Sequence, residues 1–446
     1  MCKPAWVTAI FLFGWLASNG QAQTDDQIDR MRAINRNMPL PIELDQQRIA
    51  ANGIDVSRSQ HLILLSDVRQ RDDIQDLGKI FESATRQWCQ YFEIPLDKTQ
   101  DWQMRSMLIA DRSRFRKAGL MPNSLPDFLA GFQRGHEMWV YLQPGDYYTR
   151  HLLLHEGTHA FMQWFLGGTG APWYSEGMAE LLGIHQWKEN VLTLNYQLKD
   201  RSEAAYWGRI KLIKEDCRDK KSMSLDDVFA IPGNAYREVR YYAWSWAACQ
   251  FLSQHPKTRE AFGKLPRIAS EPPEKFNAKL LQWLADVRPE IDRDWQLFVG
   301  EIDFGYEISA GRLRPANNEG SQLVIDSRYS WQSTDIQVKP GDRFAFKAEG
   351  QFVVGTENST PWPCEADGIT IDYYRGKPLG TLMVSVLPDN NTESSAPVLH
   401  APHAIGFQSV VTFEHRGRLA FRINESPSKM SDNRGSLTIK FKKMKP

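Results

Sequence analysis

Residues 149–168 read TRHLLLHEGTHAFMQWFLGG, and this stretch decides how the rest of the chain is interpreted. The composition favours a helix that ends at the closing pair of glycines. Because residues four apart lie on one face of a helix, His155 and His159 present two imidazoles one turn apart. That spacing suits two ligands of one tetrahedral Zn²⁺. Glu156, beside the first histidine, is placed to accept a proton from a water on such a metal.

A third ligand is expected from the stretch APWYSEGMAE at residues 171–180. Ser175 is predicted to cap a second helix, which puts Glu176 in its first turn. Glu176 follows His159 by seventeen positions, which leaves enough chain for a loop and a returning helix. It can therefore complete a site of two histidines and one glutamate, with the fourth position open to water.

Two more side chains lie one helical turn from these candidates. Glu180 shares a face with Glu176, and a metal-bound histidine usually donates its other N–H to a carboxylate, so Glu180 is expected to support His155. His151 is expected at the surface near the helix start. Two alternatives stay open: histidines satisfied inside a core, or a metal site without catalysis. Glu156 argues against the second, since a structural site needs no carboxylate beside its ligand.

Together the two blocks resemble the gluzincin group of zinc metallopeptidases. They are similar in particular to a family of exported bacterial proteins of unassigned function that carry a W-x-x-E-G-x-A-E block, here Trp173–Glu180. The resemblance is strong over residues 151–187 and weaker over 60–300. It implies an α+β zincin-like catalytic domain that cleaves a peptide or protein substrate, with Glu156 as general base. The zinc ligands that it implies are His155, His159 and Glu176.

The same resemblance implies two further features. The strand before the HExxH helix, at residues 135–142 here, would form the sheet edge along which an extended peptide adds as a strand. In addition, the segment YYAWSW at residues 241–246 resembles a later helix of the family. Its Tyr242 matches a tyrosine that stabilises the oxyanion in catalysis. Packing of both tyrosines in a helical core is the alternative.

The remaining sequence predicts four segments. Residues 1–22 resemble a secretory signal peptide, with an apolar run of eleven residues, and no other stretch is long enough to span a membrane. An exported, periplasmic or extracellular protein is therefore expected. Residues 23–145 predict an α/β part, with strands at 61–67, 104–110 and 135–142 around a helix at 73–92. Residues 146–304 are predicted to be helical and to carry the zinc site.

Residues 305–446 alternate apolar and polar positions between turn dipeptides, which predicts an all-β antiparallel sandwich. This part resembles the calcium-dependent galactose-binding lectin domain of bacteria, notably at Trp331–Gly341 and 417–437. The resemblance implies bound Ca²⁺ and a glycan partner. The implied calcium residues are Glu425, Asp432 and Asn433; the lectin has a shorter Asp where this chain has Glu425.

Composition narrows the function classes. Lys and Arg together number 54, as do Asp and Glu, so a broad nucleic-acid surface is not expected. Four cysteines follow the signal segment, and both disulfides and free buried thiols stay open. An exported zinc peptidase is the favoured function. The alternatives are a carbohydrate-binding surface protein on an inactive zincin scaffold, and a zinc hydrolase of a non-peptide amide such as one in the cell wall.

Overall fold

The computed structural model describes residues 38–68, 71–319, 322–388 and 398–445. The predicted signal peptide at 1–22 lies outside these residues. Among them, no helix combines the length and apolarity that a bilayer crossing requires. An α/β part, a helical part and an antiparallel β-rich part follow one another along the chain, as the sequence predicts at this level.

The α/β part contains one mixed sheet of five strands. Its two long parallel pairings join Leu62–Ser66 to Met104–Ile109, and Met104–Ile109 to Glu137–Tyr141. These strands are buried along nearly their whole length, which is typical of strands covered on both faces. The sheet order, from one edge to the other, is Asp55–Arg58, Leu62–Ser66, Met104–Ile109, Glu137–Tyr141 and Gly131–Arg134.

This order corrects one expectation about the sheet edge. The strand predicted at 135–142 exists as Glu137–Tyr141, but it is an inner strand. Gly135 lies in the turn of a hairpin, with a φ of 59°, and leads back from Gly131–Arg134. Gly131–Arg134 is therefore the antiparallel edge strand, and its outer side pairs with no strand among the described residues.

Helices cover the sheet and form the site. The predicted helix at 73–92 is present as Leu77–Tyr91 after a short helix, and its Phe81 and Trp88 are fully buried. The HEGTH helix (Asp146–Phe165) packs against it and against the edge hairpin. The helices of these two parts are Gln46–Ala51, Asp72–Gln75, Leu77–Tyr91, Arg112–Lys117, Asp146–Phe165, Pro172–Gly183, Arg209–Arg218, Leu225–Phe229, Val239–Gln254, Arg259–Gly263, Pro273–Leu284 and Arg288–Glu301.

Two of these helices approach each other closely at a glycine. The Glu176 helix (Pro172–Gly183) lies against the Tyr242 helix (Val239–Gln254). A Cβ at Gly177 would lie 2.4 Å from the carbonyl oxygen of Ser245 and 2.5 Å from Cys249 Sγ. Only glycine permits this distance without a backbone shift, so Gly177 brings the residue before it, Glu176, against the Tyr242 helix. A small hairpin of His185–Lys188 and Val191–Leu194 follows.

The C-terminal part has two large sheets on one apolar core. Leu323 and Phe346 of one sheet and Val384 and Phe421 of the other belong to the same buried cluster. Nearly all pairings are antiparallel, as predicted. The strands are Arg314–Pro315, Asn317–Glu319, Gln322–Asp326, Gln332–Val338, Arg343–Glu349, Phe352–Glu357, Thr360–Cys364, Ile369–Tyr374, Lys377–Leu379, Leu382–Leu387, His403–Ala404, Gln408–Thr412, Gly417–Ile423 and Arg434–Lys443.

A buried ion pair joins this part to the helices. Arg422 donates to Glu301 Oε1 at 2.6 Å, and its guanidinium lies 5.4 Å from the ring centroids of Trp331 and Tyr374. Such a pair is costly to break from one side, because the other charge is then left buried. Of the two alternatives for the cysteines, the structure has free thiols: Cys89, Cys217, Cys249 and Cys364 are all free.

Candidate metal centre

Three side chains predicted as metal ligands converge. His155 Nε2 lies 3.2 Å from His159 Nε2 and 3.3 Å from Glu176 Oε2. The distance from His159 Nε2 to Glu176 Oε2 is 3.4 Å. Two ligands of a tetrahedral ion with bonds of about 2.0–2.1 Å are separated by about 3.3 Å. The three atoms therefore have the spacing of three corners of one tetrahedral site, and the group could hold a metal ion.

The Glu176 helix begins earlier than the sequence predicts. Pro172 is its first residue and Ala171 its N-cap, so Ser175 caps nothing and Glu176 lies in the second turn. Proline is favoured at this position because its missing N–H has no partner in a first turn anyway. The Ser175 hydroxyl instead lies 3.2 Å from His159 Nδ1. An Nδ1–H donated to that oxygen leaves Nε2 of His159 free to bind a cation.

The charges of the group balance each other. Burial raises the pKa of Glu176, but the imidazoles of His159 and His155 outweigh it and lower that pKa to about 2. Burial lowers the pKa of His155, while contacts with Glu176 and Glu180 raise it to about 10 overall. Without a metal, these residues therefore hold protons between themselves, and a cation would compete with those protons.

Glu156 lies between the metal group and the edge strand. Its side chain is 6% exposed, and burial raises its pKa despite the two neighbouring imidazoles. A Cβ on Gly131, the first residue of the edge strand, would lie 2.3 Å from Glu156 Oε1. A side chain at this position would require the Glu156 carboxylate to move. The edge strand therefore passes directly beside the carboxylate, so a chain aligned with that strand would come close to Glu156.

Glu180 contacts His155 as predicted, but its main partners lie elsewhere. Its Oε1 is 3.5 Å from His155 Nδ1. Arg209 donates to both carboxylate oxygens, at 2.7 and 2.9 Å, and Trp207 Nε1 donates to Oε2 at 3.2 Å. The sequence predicts neither Trp207 nor Arg209 as a partner of Glu180, because no local spacing connects residues 207 and 209 to position 180.

His151 is fully buried, which corrects its expected place at the surface. Its ring stacks on Tyr148, and Nε2 lies 3.4 Å from Glu180 Oε2. His151, His155 and Glu180 thus form a second group with metal-ligand spacing. A cation there would face the guanidinium of Arg209, which already neutralises Glu180. The group formed with His159 and Glu176 is therefore the better cation site.

Tyr242 lies beside the centre. Its ring centroid is 6.0 Å from that of His155 and 5.4 Å from the guanidinium carbon of Arg209. Burial, and then the nearby carboxylates, raise its pKa, so the phenol keeps its proton and can donate it in a hydrogen bond. The structure thus places Tyr242, which the sequence also predicts for the site, beside the metal group.

The residues proposed for calcium lie in one loop of the C-terminal part. Asn433 Nδ2 donates to Glu425 Oε2 at 2.6 Å, while Asn433 Oδ1 has no hydrogen-bond partner among the described residues. Burial raises the pKa of Glu425 to about 8; Asn433 opposes this shift and Asp432 adds to it. Lys429 and Arg422 also oppose the shift, but burial outweighs them, so the carboxylate favours its protonated form.

Comparison with protein-family models and with curated proteins finds no match for the chain. Solved structures that are similar to part of it include two β-rich proteins or domains. One is described as "EclA N-terminal domain; PllA-like lectin", at 15% identity and a TM-score of 0.21, over 28% of this chain and 97% of that one. The other is PliG of Aeromonas hydrophila, a periplasmic inhibitor of g-type lysozyme, at 10% identity and a TM-score of 0.17, over 29% of this chain and 96% of that one. Neither likeness is strong enough to bear on function.

Proposed function

We propose that the chain is an exported zinc-dependent metallopeptidase with a zincin-like catalytic unit. The observation that carries this proposal is the convergence of His155 Nε2, His159 Nε2 and Glu176 Oε2 at 3.2–3.4 Å, with Glu156 next to them. Two imidazoles and one carboxylate are a ligand set of catalytic zinc sites, which keep one position open. Zinc bound there would lower the pKa of a water to about 7 and polarise a substrate carbonyl.

The chain's own residues supply the remaining chemistry. Glu156 accepts the proton of the attacking water and then delivers it to the departing amine. Its raised pKa suits both directions of transfer. Tyr242 donates a hydrogen bond to the oxygen that gains negative charge. The edge strand Gly131–Arg134 offers backbone donors and acceptors to an extended substrate, which adds to the sheet as a sixth strand.

A calcium ion in the Glu425 loop is the second part of the proposal. Oxygen ligands from Glu425, Asp432 and Asn433 Oδ1, which has no hydrogen-bond partner among the described residues, suit Ca²⁺. Such a cation would favour the ionised form of Glu425, whose pKa burial raises. Sugar binding is less favoured. Glu425 and Pro427 are buried, and the carbonyl of Pro427 accepts a hydrogen bond from the backbone of Glu307, which lies in the connection to the helical part.

Metal analysis and cleavage assays on one set of proteins test the main proposal. The purified chain is expected to hold about one Zn²⁺ and to cleave members of a broad peptide library. Glu156→Gln is expected to keep the zinc and lose hydrolysis, because the amide cannot accept the proton. A zinc-loaded wild type that cleaves no peptide would refute the peptidase proposal. Binding to a glycan library with and without Ca²⁺ then tests the carbohydrate-binding alternative. Hydrolysis of cell-wall amides tests the third alternative, a zinc hydrolase of a non-peptide amide.

A further inference from the structure

The buried carboxylate behind His155 is held by three donors from one short segment. Arg209 Nε and Nη2 donate to the two oxygens of Glu180 at 2.9 and 2.7 Å, and Trp207 Nε1 adds a bond of 3.2 Å. The residues Glu180, Arg209 and Trp207 are each more than nine-tenths buried. A two-bond contact between guanidinium and carboxylate fixes direction as well as distance. Glu180 therefore has one orientation available.

That orientation matters because Glu180 also faces two histidines. Its Oε1 lies 3.5 Å from His155 Nδ1 and its Oε2 lies 3.4 Å from His151 Nε2. In the neutral form of His155 that binds a metal, a carboxylate beside Nδ1 favours the proton on that nitrogen and leaves Nε2 for the site with His159 and Glu176. If Glu180 were released, it could rotate towards a cation and recruit the competing group with His151.

The same guanidinium reaches the other side of the site. Arg209 lies 5.4 Å from the centroid of the Tyr242 ring, within the range of a cation–π contact. Arg209 is the first residue of the helix Arg209–Arg218, so its backbone is anchored by a regular element. One side chain thus contacts both the carboxylate behind His155 and the ring beside it.

We propose that Arg209 is a positioning residue of the centre, which holds Glu180 against His155 and the Tyr242 ring beside the open metal position. This inference rests on the proposed function, because it assigns Arg209 a role towards the metal that the three ligands would hold. Arg209 lies 33 positions beyond Glu176 in the sequence. Its hydrogen bonds at the centre go to Glu180 and not to the three proposed ligands.

Zinc affinity of the full-length purified chain tests the inference without relying on activity. In Arg209→Lys the charge stays but the two-bond contact and the ring contact are lost, and we expect zinc to bind about 10-fold more weakly. In Arg209→Met the charge is lost as well, and we expect zinc to bind about 100-fold more weakly. Trp207→Phe removes one donor with similar packing and should weaken binding a few-fold. The Trp207→Phe variant also tests the inference if Arg209→Met does not fold.

Arg422→Lys is the matched control. Arg422 is also buried, pairs with a buried glutamate and lies over aromatic rings, but it contacts none of the centre's residues. It should lower the melting temperature as Arg209→Lys does and leave zinc affinity unchanged. Wild-type zinc affinity in both Arg209 variants, or equal losses in Arg209→Lys and Arg422→Lys, would overturn the inference. A wild type that binds no zinc would instead refute the proposed function.

Discussion

Two glutamates of this chain, Glu176 and Glu425, are in opposite electrostatic states. Glu176 lies between two imidazoles, which lower its pKa to about 2 although burial opposes them. Glu425 lies beside an amide and a second carboxylate, and burial raises its pKa to about 8. The first centre contains its own balancing charge and is organised without a cation. In the second, burial outweighs the opposing charges of Lys429 and Arg422, so the carboxylate favours a bound proton, with which a bound cation would compete.

Glu176→Gln is the change with the largest expected effect. It removes one of three proposed ligands, and we expect zinc affinity to fall by about 10³- to 10⁴-fold, or about 4–5.5 kcal/mol. A competition titration against a chelator of known affinity measures it. Glu425→Gln serves as the control and should leave zinc binding unchanged. Zinc binding that survives Glu176→Gln with wild-type affinity would show that the ion is held elsewhere.

The pH dependence of stability should separate the two glutamates. The folded pKa of Glu425, about 8, is above its unfolded value, so its contribution to stability is complete at low pH. It is lost as the pH rises, by about 3 kcal/mol between pH 5 and 8. Denaturant unfolding in the presence of a calcium chelator measures this loss.

Two comparisons sharpen that measurement. Glu425→Gln should remove the part of the pH dependence that Glu425 contributes, because its amide does not ionise. If calcium binds this loop, saturating Ca²⁺ should flatten the curve of the wild type as well. A wild-type curve that stays flat from pH 5 to 8 with chelator present would contradict the electrostatic contrast between the two centres.

Much of the first centre follows from local sequence. The helical spacing of His155 and His159 and the presence of a later carboxylate at 176 depend on neighbours in the chain, so they were predictable. The edge strand was not, because Gly131–Arg134 is only four residues long and its closeness to Glu156 arises only in the fold. Burial of His151 and the bond from Arg209 to Glu180 depend on elements that meet only in the fold.

Gly131→Ala should reduce turnover without removing the metal. The added methyl would lie 2.3 Å from Glu156 Oε1, so the carboxylate must move from the site. A misplaced catalytic group costs about 10²-fold, and we expect a loss of that order in kcat with unchanged zinc content. Gly263→Ala, whose methyl would meet nothing within 4 Å, is the control. Wild-type kcat in Gly131→Ala would remove Glu156 from the proposed mechanism.

Ser175→Ala should have the smallest effect on zinc affinity. It tests whether the two histidines of the centre depend equally on the groups that support them. His155 is supported by a carboxylate that arginine holds, whereas His159 has a neutral hydroxyl at 3.2 Å. A neutral partner orients the ring but adds little to its basicity, so we expect zinc to bind at most about 10-fold more weakly. Ser253→Ala, which removes a hydroxyl bonded within one helix turn, controls for helix stability. A loss as large as that of Glu176→Gln would mean that Ser175 itself contributes a ligand atom. Unchanged affinity would mean that the HEGTH helix (Asp146–Phe165) positions His159 without help from Ser175.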